Sequence, residues 1–378
     1  MANEKEKKFL LKDHLFNRAR VEALAGDIQT VYSDFPRKDF VRETLAGFKS
    51  RELKERIRWM AELLRKHLPA DYRKATRILL KPLPPPLDPT RSDDDFGDFI
   101  YAPLADFVAL YGCNAKDLEF SLEALRQITQ RFSAEDAIRY FLNAFPDETM
   151  AKIHIWKTDP HYHVRRLCSE GLRPRLPWAQ KISIPATLAL PVLEALYADE
   201  TRYVTRSVAN HMNDVAKADP ELALKTLERW KKGSKQKSAE MNFLLSHSLR
   251  GLVKQGHPEA LRFLGYNPAP PVQVSDFKAP GRVKMGDSLD FSFNIRAQEP
   301  TALIVDYLIH FVNKTGKLNS GKVFKLKKVS LKKGEKIEIR KRHMLQPKMT
   351  TRTLYAGAHY LELQINGQSL GKKKFELV

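Results

Sequence analysis

Cysteine is scarce in this chain. Only two of its 378 residues are cysteine, Cys113 and Cys168, and they form no C-x-x-C pair. A disulfide framework and a thiolate zinc site are therefore not expected. No run of 18 or more apolar residues occurs, so there is no candidate for a membrane-spanning helix. Residues Met1 to Lys8 lack the apolar core and cleavage site of a signal peptide, and the cytoplasm is the expected compartment. No G-x-x-x-x-G-K-[S/T] loop is present and no G-x-G-x-x-G follows a strand-like run, so no nucleotide cofactor is expected. Acidic residues are the minority: 45 Asp and Glu stand against 65 Lys and Arg, a net charge of +20. That excess favours a polyanionic partner, nucleic acid before a membrane surface, through phosphate neutralisation and counterion release.

What is present divides into two patterns. From Asp13 to about Leu80, and again from Phe99 to about Leu264, apolar residues recur at helical spacing in segments separated by short polar breaks. Ser50 reads as a helix cap before Arg51 and Glu52, and Ser133-Ala134-Glu135-Asp136 and Asp219-Pro220-Glu221 read as capped starts with acids toward the positive end of the helix dipole. Between the two helical regions, residues 82–98 are rich in proline and cannot continue a helix; an extended connection packing across neighbouring helices is expected.

The densest stretch is Trp156 to Trp178. Asp159 and Pro160 suit a helix start, and Gly171 with Pro174 marks a stop about three turns later. Val164, Leu167, Cys168 and Leu172 define a packing face, leaving Arg165, Arg166, Ser169, Glu170 and Arg173 largely on the surface. Forty residues on, Val204, Arg206, Asn210 and Met212 repeat the pattern of Val164, Arg166, Glu170 and Leu172; forty further lie Leu244, Ser246, Arg250 and Leu252. A helical period of about 40 is the signature of HEAT-type arrays. Glu170, Asn210 and Arg250 would then form a polar row on an exposed, concave face. Glu170 lies late in its helix, where the dipole disfavours an acid, beside Arg166 and Arg173; it is either an ion-pair partner or a working group.

After Tyr266 the period changes to two. Leu289, Phe291, Phe293 and Ile295 form one alternating face, and Leu303, Val305, Tyr307, Ile309 and Phe311 another. Further strand-like runs cover Val323 to Val329, Lys336 to Arg342, Tyr360 to Ile365 and Lys373 to Val378, with a hairpin turn at Asn366-Gly367. About seven strands suit an immunoglobulin-like sandwich, without the Cys-Trp-Cys hallmark of antibodies. The expected fold is thus mainly α: a HEAT-like helical-repeat solenoid over residues 1–266, followed by an all-β immunoglobulin-like sandwich over 267–378. Residues 271–378 hold 21 Lys and Arg against 9 Asp and Glu. The lysines and arginines from Lys322 to Arg342 cluster on two neighbouring strands and their turn, where they either clamp a DNA backbone or guard strand edges.

The stretch Trp156 to Trp178, with Tyr203 to Asp214, Ser246 to Leu261 and the proline-rich segment, resembles the HEAT-like-repeat alkylpurine DNA glycosylases. Within that family it is similar to the alkylpurine DNA glycosylase C subgroup, in the branch carrying a C-terminal immunoglobulin-like domain. The resemblance implies excision of cationic alkylated bases, such as 3-methyladenine and 3-methylcytosine, from double-stranded DNA in base excision repair, without flipping the base into a pocket. The expected protein is a monomer that joins the nucleoid when bound to DNA; no metal is expected, because no cysteine or carboxylate completes a site with His161 and His163.

The residues suit that chemistry. An alkylated base already carries positive charge and leaves readily; what remains is to stabilise an oxocarbenium-like sugar and position water, which a carboxylate does by opposite charge and as a general base. The expected carboxylates are Glu170 and Asp214, then Glu135. Trp178 and Trp156 would add cation–π attraction. Arg165, Arg166, Arg173, Arg206 and Arg250, with His163 and Asn210, would hold phosphates. A repeat protein that binds distorted or branched DNA without catalysis, or a peptide-binding scaffold, is the alternative.

Overall fold

The computed structural model describes residues 10–90, 96–349 and 352–378. Residues 1–9, which include the Met1 to Lys8 start, residues 91–95 of the proline-rich stretch and residues 350–351 lie outside them. Helices α1 (Leu11–Leu15), α2 (Arg18–Val31), α3 (Arg37–Phe48), α4 (Leu53–His67) and α5 (Tyr72–Leu80) precede that stretch. After it come α6 (Ala102–Gly112), α7 (Leu118–Thr129), α8 (Ile138–Ala144), α9 (Pro146–Trp156), α10 (Tyr162–Glu170), α11 (Ala186–Leu196), α12 (Arg202–Ala218), α13 (Pro220–Gly233), α14 (Ser238–Ser248), α15 (Arg250–Lys254) and α16 (Pro258–Phe263). No helix of the described residues is long and apolar enough to cross a membrane. The chain divides into two compact units, residues 1–215 with 226–247, and residues 216–225 with 248–378.

Local chemistry sets the helix boundaries. Asn17 accepts from Arg20 N at 3.1 Å to start α2, and Asp71 accepts from Lys74 N at 2.6 Å to start α5. Asp219 starts α13 in the same way, accepting from Leu222 N at 2.9 Å. Two expected caps fall elsewhere. At α4 the cap residue is Glu52 rather than Ser50, and its own amide donates to Glu55 Oε2 at 2.7 Å. At α10 the chain turns through Asp159 and Pro160 before the helix begins, and His161 is the cap, accepting from His163 N at 3.2 Å.

The first part of the proline-rich segment, residues 82–90, crosses its neighbours as an extended strap. Leu87 N donates to Gln130 O at 2.9 Å, Arg131 donates to Pro84 O at 2.8 Å, and His161 Nε2 donates to Leu87 O at 3.0 Å. Pro84 and Leu87 thus find backbone partners at the end of α7 and the start of α10.

The acids that open successive repeats have a second partner. Arg126 Nε donates to Asp159 at 2.7 Å, Arg165 Nε to Asp199 at 2.6 Å, and Arg202 Nε to Glu240 at 2.7 Å. This ladder of arginine to following acid ties each repeat to the next. The third copy of the repeat differs from the first two: Leu244 and Ser246 lie on α14, Arg250 and Leu252 on α15, with a break at Leu249. The helical segments are also not separated by short breaks throughout, because residues 171–185 between α10 and α11 form one long non-helical loop.

The second unit is built on an immunoglobulin-like sandwich. Its strands are β1 (Val272–Lys278), β2 (Arg282–Val283), β3 (Ser288–Ala297), β4 (Thr301–His310), β5 (Lys322–Leu331), β6 (Lys336–Met344), β7 (Lys348–Met349), β8 (Arg352–Thr353), β9 (Gly357–Ile365) and β10 (Gln368–Leu377). One sheet has the order β1-β3-β6, the other β2-β10-β9-β4-β5. Both alternating faces expected from the sequence are buried and meet in one core, with Phe291, Phe293 and Ile295 from β3 and Val305, Tyr307 and Ile309 from β4. Strands β5 and β6, consecutive in sequence, are not hydrogen-bonded neighbours: each is the edge of a different sheet. The lysine cluster therefore decorates two separate edges and the turn joining them.

Candidate nucleic-acid site

Helix α10 presents its charged face to the interior. Arg166, Ser169, Glu170 and Arg173 are all buried, with Glu170 only 4% exposed. The expected surface row is thus corrected: Glu170 is covered, while Asn210 and Arg250 are half-buried. The physical reason is pairing. Charged side chains avoid the interior unless partners offset their desolvation, and here α10 finds them in the turn before α8 and on α12.

The partners form an alternating chain of acid and guanidinium. Arg166 donates to Glu135 Oε2 at 2.6 Å and lies 3.8 Å from Glu170 Oε2. Glu170 Oε1 accepts from Arg173 at 2.5 Å, and Glu170 Oε2 accepts from the Ser207 hydroxyl at 2.6 Å. Arg173 continues to Asp214 Oδ2, with Nε at 3.0 Å and the terminal nitrogen at 2.9 Å. All three candidate carboxylates therefore lie on one chain, Glu135–Arg166–Glu170–Arg173–Asp214. Arg166 also packs 4.5 Å over the ring of Tyr203 and 5.7 Å from that of Phe96.

The carboxylates differ in what they have left to offer. Burial works to raise the Glu170 carboxyl, but Arg166 and Arg173, with the Ser207 hydroxyl, outweigh it and hold the group below the ordinary range. Glu170 is a fixed anion with both oxygens committed. Glu135 sits in the turn before α8, where no side chain caps the helix; Ser133 Oγ donates to Glu135 Oε2 at 2.7 Å and both face Arg166. The expected capping role of this segment is replaced by that pairing. Glu135 is partly exposed, with 28% of its side chain accessible, and among the described residues no donor reaches its Oε1.

Trp178 is 87% exposed, on the loop between α10 and α11, and its backbone takes φ +67. A positive φ is uncommon for a bulky residue and persists only where the surroundings impose it. Lys54 of α4 donates to the Trp178 carbonyl and pairs with Asp136 Oδ2 at 2.6 Å. One lysine thus joins the loop carrying Trp178 to the turn carrying Glu135.

The other candidates lie elsewhere. Trp156 ends α9 and is buried in the core. His163 is buried among aromatic rings, 4.8 Å from Tyr203. Arg165 commits its guanidinium to Asp199 and to the carbonyls of Asp159 and Pro160. Asn210 Oδ1 accepts from His247 Nε2 at 2.9 Å, and Arg206 is half-buried on the same helix. Arg250 belongs to the second unit. Among the described residues no three His, Cys, Asp or Glu side chains converge as metal ligands. Sequence reasoning missed Ser207, Lys54 and Arg139. The Arg139 guanidinium reaches three backbone carbonyls across the chain, and nothing in its local sequence signals that.

Helical repeats with a buried acid–guanidinium chain, carried in a chain that ends in an immunoglobulin-like sandwich, define the class of protein. Residues 273–378 match the family described as uncharacterised protein YhaZ, C-terminal Ig-like domain. The uncharacterised protein YhaZ of Bacillus subtilis (strain 168) is 32% identical over 370 residues, covering 96% of this chain and 98% of that protein. The structure of Pseudomonas fluorescens alkylpurine DNA glycosylase AlkC, bound to DNA containing an abasic site analog, is similar with a TM-score of 0.87 and 34% identity over 98% of this chain and 100% of that chain. The chain belongs to the family of YhaZ and AlkC.

Proposed function

We propose that this protein is a DNA glycosylase that hydrolyses the N-glycosidic bond of cationic alkylated bases in duplex DNA, with 3-methyladenine the first substrate to test and 3-methylcytosine the second. Full-length similarity to a glycosylase whose structure holds abasic-site DNA supports the reading. The observation that carries it is the open Oε1 of Glu135, anchored on its other oxygen by Arg166 and Ser133, in a turn whose next residue, Asp136, pairs with the lysine that holds the carbonyl of the exposed Trp178.

The bond between C1′ and the base nitrogen breaks, and its electron pair neutralises the cationic base, so no proton donor is needed. Glu135 stabilises the oxocarbenium-like sugar left behind and accepts a proton from the water that adds to C1′. Trp178 offers its ring face to the same transient charge. Glu170 and Asp214 act one step back, keeping Arg166 and Arg173 ionised and aligned. The basic edges of β5 and β6 supply a surface for phosphates.

The test is single-turnover release of base from duplex DNA containing methylated purines, without added metal or cofactor. Release of 3-methyladenine well above the spontaneous rate supports the reading. Tight, salt-sensitive binding without release would replace it with a DNA-binding protein that lacks catalysis.

A further inference from the structure

The loop that carries Trp178 is held by its carbonyl oxygens. Arg139 of α8 has a side chain almost wholly buried, yet it forms no ion pair among the described residues. Its guanidinium instead donates to Gly171 O at 2.9 Å, Arg173 O at 2.8 Å and Gln180 O at 2.5 Å. One turn later on α8, Asn143 donates to Lys181 O at 2.9 Å, and Lys54 holds the carbonyl of Trp178 itself. The loop also begins hard against α8, since a Cβ on Gly171 would stand 2.6 Å from Ile138 Cγ2. A buried guanidinium is costly without a carboxylate. Here it is spent on loop carbonyls on both sides of an indole that is 87% exposed.

We propose that Arg139 is a positioning residue for Trp178: with Asn143 it clasps residues 171–181 so that the indole is presented in one orientation before DNA arrives. This rests on the reading of Trp178 as the face offered to the transient cation. Positioning of this kind matters because a displacement of about 1 Å at a reacting centre costs on the order of 100-fold in rate.

The variants are Arg139→Met, Arg139→Lys, Asn143→Ala and Trp178→Ala, with the double variant R139M/W178A. Asn143 is exposed, so its replacement leaves the core intact. In single-turnover base release, R139M and W178A are expected to lose roughly 10- to 100-fold each, R139K to recover part of the loss, and the double variant to fall no further than W178A alone. Losses that multiply in the double variant, or a folded R139M that releases base at the wild-type rate, would overturn the proposal. Trypsin gives a readout independent of activity, because Arg175 and Lys181 are exposed cleavage sites within the loop. Cutting there should accelerate in R139M and N143A with an unchanged thermal midpoint for N143A; unchanged cutting in both would remove the clasp. If the wild-type protein releases no base, the glycosylase reading fails, and the cleavage rates alone decide whether the clasp stands.

Discussion

Glu135 and Glu170 share one guanidinium. Arg166 donates to Glu135 at 2.6 Å and stands 3.8 Å from Glu170, so the partly exposed acid and the buried acid are held by the same charge. Among the described residues the buried acid has both oxygens bonded, whereas the partly exposed one has Oε1 open, and the proposed function assigns them different roles on that asymmetry.

Changing each acid to its amide should therefore give different results. Under the proposed function Glu135→Gln keeps the shape but removes the negative charge, and base release should fall roughly 100-fold or more while DNA affinity is retained. Glu170→Gln leaves Arg166 and Arg173 without the anion between them; removing one partner of a buried pair costs about 3–5 kcal/mol, and the thermal midpoint should drop with activity. Single-turnover kinetics and melting curves on both variants check this. Equal losses of activity at equal stability would remove the distinction.

Much of this fold was legible in the sequence because period reports burial directly. The alternation of Leu289, Phe291, Phe293 and Ile295 becomes a core face, and Asn366-Gly367 becomes a turn with φ +46 and +82. The candidate site was legible by residue type but not by exposure. A helical pattern assigns Arg166, Glu170 and Arg173 to solvent by default, and only the approach of Ser207 and Asp214 on α12 shows that they are inside. Arg139 gave no signal at all, since its partners are backbone carbonyls of a distant loop.

His211 supplies a pH prediction. Its Nδ1 donates to Ser169 O at 3.0 Å and its buried Nε2 has no partner among the described residues, so the folded protein holds the ring neutral. Burial lowers its pKa from 6.5 to about 4. The unfolded chain then takes up a proton below pH 6.5 that the folded chain refuses until about pH 4, so stability present above 6.5 is lost as pH falls through that window, by about 3 kcal/mol in full. Glu170, whose carboxyl is lowered from 4.5, adds its own loss at still lower pH. In His211→Asn an amide replaces the titrating ring while retaining a donor for Ser169. The fall in thermal midpoint from pH 7 to pH 5 should be a few degrees smaller in this variant, as melting curves at both pH values would show.

The second unit has a contact that only glycine permits. Gly256, after α15, and Gly367, in the β9–β10 turn, both take positive φ, and a Cβ on Gly367 would stand 2.2 Å from Gly256 Cα. The neighbouring Asn366 fixes the turn by accepting from Ile304 N at 2.7 Å and donating to Asn267 O at 2.9 Å. Gly367→Ala adds both a backbone clash and a strained φ, so it should cost about 2 kcal/mol or more. No tryptophan lies in this unit, so hydrogen exchange of the β9 and β10 amides is the suitable measurement; protection there should fall.

The lysine-rich edges admit a test because two of the lysines cannot guard a strand. Lys332 and Lys333 lie in the turn after β5 ends at Leu331 and before β6 begins at Lys336, and both are exposed. Edge protection against aggregation is a property of the strands themselves, so these two report on phosphate contact alone. If the turn meets the DNA backbone, replacing both by serine should weaken binding equally across sequences and reduce the slope of log affinity against log salt by about 2, since each phosphate contact contributes roughly 0.9. Fluorescence anisotropy with a labelled duplex at several salt concentrations measures the slope. An unchanged slope would remove this turn from the DNA-binding surface.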